Sequence, residues 1–244
     1  MNKAFVRSVV LVRERVASFD IYPFNLPALR TMEELDLDPS VTLVVGENGA
    51  GKSTLVEAIA VAAGFNPEGG SRNFNFETKR TDSSLHEAIR LVRGVRRPSN
   101  GYFLRAESYY NVATEVERLG PEVQAAHGGN PHERSHGESF LALVKHRLSA
   151  DGFYVFDEPE AALSPTGCLA LLRRIHDLAT GGAQFVIATH SPILMAYPGA
   201  RIYELGNDGP VLRTFGELNH VTLSRDFLNR PDLFLGELLD DSGS

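Results

Sequence analysis

The chain has 244 residues, 43% hydrophobic and 23% charged, a balance that predicts a globular protein with room for one large α/β domain. A net charge of −7 argues against a surface that clings to nucleic acid throughout, and no apolar run approaches the length of a membrane-spanning helix. Its single cysteine, Cys168, excludes an internal disulfide framework and fits a reducing, cytoplasmic setting.

At the N-terminus, Arg7, Arg13, Glu14 and Arg15 bracket the short apolar stretch Val9–Val12 too closely for a signal-peptide core. Residues 4–30 read as two extended segments, 4–12 and about 19–26, the second broken by Pro23 and Pro27 and so suited to an antiparallel edge. Of the aromatics here, Phe19, Tyr22 and Phe24, each reads as core, with one able to stack on a nucleotide base.

Residues 41–45 are a β-branched apolar run, the composition of a buried parallel strand, and they lead into Gly46-Glu47-Asn48-Gly49-Ala50-Gly51-Lys52-Ser53. That octet fits G-x-x-x-x-G-K-[ST] in full and predicts a nucleoside triphosphate site. Gly46, Gly49 and Gly51, with Asn48 between them, let the backbone curl so that N–H groups face phosphate oxygens at the start of a helix. Lys52 would reach the β- and γ-phosphates, Ser53 would ligate Mg²⁺, and Thr54 is placed to donate to the α-phosphate.

Residues 83–93 carry Leu85, Ala88, Ile89 and Val92 at helical spacing, and residues 102–106 read as a strand. Arg90, Arg93, Arg96, Arg97 and Arg105 fall in a stretch without an acid. They form either a solvated helix end and turn or a docking surface for a polyanion such as nucleic acid, or for an acidic partner. Residues 120–138 are rich in turn formers. Within them Ser135 and Gly137 open a helix, where they would serve either as an anion site or, with Glu138, as a capping box.

After that helix, residues 153–156 form a buried strand that ends in Asp157-Glu158, two carboxylates at the edge where open parallel sheets bind ligands. Asp157 would hold Mg²⁺ through water, and Glu158 would orient or deprotonate the attacking water. A helix follows over 165–179, then an apolar strand over 183–189 that delivers His190, an imidazole able to donate to the γ-phosphate or that water. Residues 201–205 add a further strand. Strands alternating with helices of this length predict a mostly parallel sheet flanked by helices.

The order of these motifs resembles the ABC-type ATPases. Gly46–Ser53 is similar to their Walker A, Ser135-His136-Gly137-Glu138 to their signature motif, residues 153–158 to Walker B with its catalytic glutamate, residues 159–164 to the approach to the D-loop, and His190 to the switch histidine. The full chain resembles small stand-alone bacterial ATPases of the AAA/ABC type related to SMC heads. That resemblance implies one domain over residues 1–244, an N-terminal antiparallel β segment and a short helical signature insert over about 107–150.

It further implies a cytoplasmic ATPase that binds ATP and Mg²⁺ and acts as an ATP-dependent homodimer, head to tail. Ser135 and Gly137 of one subunit would meet the γ-phosphate held by the other. Such a switch would drive a partner, with DNA maintenance or defence as the setting suggested by fold analogy. The alternative is the ATP-binding subunit of a transporter, against which stands a separation of only 28 positions from Glu107 to Ser135, where transporter subunits carry a longer insert. Departures from the pattern are His136 in place of glycine and Ser164 in place of aspartate. No glutamine follows the 102–106 strand, which leaves Glu107, ahead of Gln124, for the Q-loop position and a share of the metal.

Overall fold

The structure is a computed structural model, and it describes residues 4–70, 83–106 and 136–239. In chain order its elements are β1 (Val6–Leu11), α1 (Pro27–Arg30), β2 (Glu34–Asp36), β3 (Val41–Gly46), α2 (Lys52–Ala62), α3 (Leu85–Ala88), β4 (Ile89–Arg93) and β5 (Asn100–Arg105). There follow α4 (His136–Arg147), β6 (Gly152–Asp157), α5 (Pro165–Thr180), β7 (Gln184–Ala188), α6 (Pro192–Met195), β8 (Arg201–Gly206), β9 (Gly209–Arg213), α7 (Asn219–Asn229) and α8 (Pro231–Leu239).

Among the described residues, six strands form the central sheet in the order β5-β6-β7-β3-β8-β9, parallel throughout except for the last, β9. Its inner strands are apolar on both faces because both faces are covered. Along β6, Phe153 and Val155 join a core with α2 and the N-terminal strands, while Tyr154 and Phe156 join a second core with α4 and α5. With side chains alternating and both sides dry, polar chemistry is left to the strand tips. α5 begins at Pro165, where a missing N–H costs nothing, and the Ser164 hydroxyl caps it by accepting from Gly167 N at 3.1 Å.

A second, three-stranded antiparallel sheet has the order β2-β1-β4. Here two expectations are corrected. Residues 19–26 form turns rather than a strand, because Pro23 and Pro27 break the ladder, and β2 takes the place beside β1. The helix expected over 83–93 lasts only through Ala88. Ile89, Leu91 and Val92 are β-branched or apolar residues that instead pair with the open edge of β1, so tertiary pairing overrides a pattern readable at either period.

Side chains tie the two sheets together: the Tyr203 hydroxyl on β8 donates to the Asp36 carbonyl on β2 at 3.0 Å, and Gln184 makes the larger set of bonds. Gln184, fully buried at the start of β7, accepts from the N–H groups of Phe5 and Val6 at 2.9 and 3.0 Å. Its amide nitrogen donates to the carbonyls of Val6 and Asp38 at 2.7 and 2.9 Å. Replacing it by leucine keeps the bulk and removes four hydrogen bonds. Since a buried orphan polar group costs roughly 1–3 kcal/mol, Gln184→Leu should destabilise the protein by about 3 kcal/mol or more in a urea titration. A loss below about 0.5 kcal/mol would mean that other contacts hold the antiparallel sheet in place.

Candidate functional site

The site begins where β3 runs out. Gly46 has φ 140°, and a Cβ there would lie 2.6 Å from the Leu205 carbonyl oxygen of the adjacent strand, so only glycine fits. Gly51, at φ 97°, turns the chain into α2. Lys52, the first residue of that helix, is 4% exposed and folds back so that Nζ donates to the Glu47 carbonyl at 3.1 Å. Asn48 and Gly49 stand exposed on the rim, and Ser53 and Thr54 lie half-buried in the first turn of α2. The Thr54 hydroxyl is 3.0 Å from that of Tyr22, whose ring is 61% exposed. Phe24 is buried with Phe19 packed edge-on at 6.4 Å, so Tyr22 is the aromatic left open beside the loop.

Sheet order brings the other groups to this loop. β7 lies between β3 and β6, so the tips of all three strands share one edge. Asp157, the last residue of β6, is buried, and Glu158 follows in the left-handed region at φ 49°, its N–H donating to the Ala188 carbonyl at 3.0 Å. Glu158 is the one non-glycine residue with positive φ among the described residues, strain of the kind that concentrates at functional sites. Its Oε1 lies 3.3 Å from His190 Nε2, a buried nitrogen with no hydrogen-bond partner among the described residues.

The electrostatics follow from burial. Desolvation, then the Lys52 ammonium, hold the His190 pKa below the ordinary histidine value despite Glu158 and Glu160, so the imidazole is neutral near pH 7. Desolvation also lowers the Lys52 pKa, while the carboxylates of Glu158, Asp157, Glu160 and Glu47 oppose the shift.

Three further groups belong to this edge and escape a reading of the sequence. Glu160 turns back from the short 3₁₀ helix after Glu158, and its Oε1 accepts from the Thr189 hydroxyl at 2.8 Å, from Ser191 N at 3.1 Å and from His190 N. Arg105, counted above with a surface cluster, ends β5 directly opposite Asp157. It donates to Glu57 Oε2 at 2.7 Å and sits 3.5 Å from Asp157 Oδ2. Parallel pairing of two strands that each end in a charged residue was the available signal. Arg96 likewise pairs with Asp151, at 2.5 Å. His220, from the first turn of α7, faces His190 across 3.4 Å, with no motif to announce it.

The signature stretch is described only in part. Gly137 lies in the first turn of α4, where a Cβ would meet the Ala162 carbonyl oxygen at 3.1 Å, so α4 packs closely on the turn after Glu158. Glu107, Gln124 and Ser135 lie outside the described residues.

These residues fit a nucleotide and its cation. A glycine-lined loop at a helix start, a buried ammonium and an imidazole nitrogen that makes no hydrogen bond among the described residues suit a phosphate chain. Ser53 and Asp157 offer hard oxygens of the kind Mg²⁺ takes, and Mg²⁺ needs only one or two protein ligands when phosphates and waters complete its shell.

The chain is similar to several known proteins. An AAA domain family model matches residues 23–117, and another, described as "AAA domain, putative AbiEii toxin, Type IV TA system", matches residues 130–196. The ribose import ATP-binding protein RbsA of Chelativorans sp. is 26% identical over 78% of this chain, which spans only 40% of that relative's length. The energy-coupling factor transporter ATP-binding protein EcfA of Methanosphaera stadtmanae is 24% identical over 90% of this chain and 85% of its own. The SMC head domain from Thermotoga maritima superposes with a TM-score of 0.42 at 16% identity, over 74% of this chain and 92% of that one.

The depressed His190 pKa has a sign that can be checked. As pH falls through the ordinary histidine value near 6.5, the unfolded chain takes up a proton that the folded protein resists, so stability falls with acidification. His190→Gln should flatten the difference between urea midpoints measured at pH 7.5 and 5.5. An unchanged difference would mean that His190 protonates as freely in the folded protein as in the unfolded chain.

Proposed function

We propose that this chain, a P-loop ATPase of the ABC type, is a single domain that binds ATP with Mg²⁺ at the 46–54 loop and hydrolyses it slowly in an ATP-dependent homodimer that drives a partner. The observation that carries the reading is the Glu158–His190 pair, whose buried Nε2 lies 3.3 Å from the carboxylate without completing a hydrogen bond to it, beside the desolvated Lys52.

Each residue has a role in this reading. The loop N–H groups and Lys52 hold the phosphates, and Thr54 takes the α-phosphate. Mg²⁺, held by Ser53 and Asp157 with Glu107 as a further candidate, would neutralise charge on the phosphate oxygens. Glu158 accepts the proton of the water whose oxygen attacks the γ-phosphorus, and the neutral His190 donates from Nε2 to the oxygen that gains charge. Tyr22, exposed beside Thr54, is the aromatic best placed to cover the base. Ser135 and Gly137 would serve the nucleotide of the other subunit, for which the close seating of α4 on the 159–162 turn offers a route of communication.

The names of the matched relatives favour a second reading, the ATP-binding subunit of a transporter, in which the partner is a membrane protein. No described helix is long and apolar enough to cross a membrane, so attachment would run through that partner. We favour a cytoplasmic switch because of the short span between Glu107 and Ser135. Recovery of the native protein in the membrane fraction at physiological salt would decide for the transporter.

Glu158→Gln should keep ATP binding and lower turnover by a factor on the order of 10² to 10⁴, the worth of a positioned base. Lys52→Ala should lose triphosphate binding in a titration. Parental turnover in the first variant would remove Glu158 from the role of base. With ATP and Mg²⁺, Glu158→Gln should run as a dimer by light scattering and with ADP as a monomer. Identical masses in both would refute the dimer switch.

A further inference from the structure

His190 is held from two sides. Glu160 Oε1 takes its backbone N–H together with that of Ser191 and the Thr189 hydroxyl, so the loop after β7 has a fixed backbone. Nothing in that clamp determines which ring nitrogen carries the proton. His220 does: its Nε2 lies 3.4 Å from His190 Nδ1, with the rings 5.3 Å apart and inclined by 52°. Where two ring nitrogens meet in one hydrogen bond, one donates and the other offers its lone pair, so the tautomer of His190 sets which role His220 Nε2 takes.

The other end of the ring decides between them. His190 Nε2 lies 3.3 Å from Glu158 Oε1, outside hydrogen-bonding geometry, and at that distance an N–H is attracted to the carboxylate whereas a nitrogen lone pair is repelled by it. Nε2 therefore carries the hydrogen and Nδ1 carries the lone pair. We propose that His220 is a positioning residue for His190, donating its Nε2–H to Nδ1 and thereby fixing the tautomer whose Nε2–H is turned toward Glu158. The groups facing His190 are Lys52 on α2, Glu158 and Glu160 after β6, and His220 on α7, and among them His220 alone addresses Nδ1. Burial of His190 beside the Lys52 ammonium keeps it neutral, which is the state in which a tautomer has meaning.

The consequence reaches beyond one ring. α7 and α8 are C-terminal to the sheet and carry Leu223, Leu228, Leu238 and Leu239 exposed, and α7 is anchored through Leu218 and Val221 at its start. Between the His190 loop and α7 lies a groove of about 720 Å³ lined by Leu163, Pro165, Ile193, Val221 and Leu228. The first turn of α7 thus links the C-terminal helices to the imidazole, and any event that lifts that turn withdraws the hydrogen bond from Nδ1.

The inference rests on reading the site as an ATPase centre, but its first test does not. In nucleotide-free protein, ¹⁵N–¹H correlation of the histidine ring nitrogens should find His190 as the Nε2–H tautomer, His220→Phe should mix the two tautomers, and His220→Gln, whose amide nitrogen can still donate, should restore the parent pattern. In turnover, His220→Phe should lower kcat about tenfold, the lower end of what loss of an outer hydrogen-bond partner costs an imidazole in metal sites, with KM for ATP within about twofold, and His220→Gln should recover most of it. His190 found with its hydrogen on Nδ1 in the parent protein, or an unchanged tautomer and kcat in His220→Phe, would overturn the proposal. Should His220→Phe fail to fold, the parent tautomer and the His220→Gln rates still decide. A parent that hydrolyses no ATP while showing the expected tautomer would instead count against the ATPase reading alone.

Discussion

The parallel pairing of β3, β7 and β6, with both faces of those strands dry, is the constraint from which the rest follows. Side chains on both faces of the three strands are almost all apolar, because each alternate side chain enters one of two cores, and the buried polar ones, Thr42 and Gln184, are hydrogen-bonded. Charged groups can then appear only where the ladder stops. Since parallel strands all stop on the same edge, Lys52, Asp157, Glu158 and His190 come together there although 138 positions separate the first from the last.

Gathering charge at a half-buried edge has a cost, and the structure offsets it locally. Burial disfavours the Lys52 ammonium, and four carboxylates oppose that loss. Asp157, buried in its turn, faces Arg105 at 3.5 Å, while Arg105 spends its other arm on Glu57 at 2.7 Å. The result is an alternating set of charges rather than a cluster of one sign. His190 stays neutral inside that set because desolvation outweighs its anionic neighbours, which suits it to donate a hydrogen bond without adding a second cation beside Lys52.

Precision at the edge comes from residues outside the strands. Glu158 sits in a left-handed conformation that redirects the chain, so the next carboxylate along, Glu160, doubles back to hold the His190 loop by its backbone. α7 arrives from the far end of the sequence to address the ring. The same imidazole is thus fixed by one segment that follows β6 and another that follows β9, which ties its geometry to the docking of the C-terminal helices.

Much of this was legible in the sequence alone, and the reason is local. The Gly46–Ser53 octet, the apolar strands and the tip residues Asp157, Glu158 and His190 are each written within a few consecutive positions, because a strand that must be buried and a loop that must curl leave few residue choices. Other features were not legible for an equally physical reason. The span 83–93 suits a helix or a strand, and only the open edge of β1 decided for the strand. Arg105 reads as one more surface arginine until pairing sets it opposite Asp157. Gln184, Glu160 and His220 act on partners 178, 30 and 30 residues away, distances over which composition and periodicity say nothing. The sequence by itself determined which side chains the strand tips present; the tertiary structure decided which groups surround them, since orientation is a relation between segments that no single segment contains.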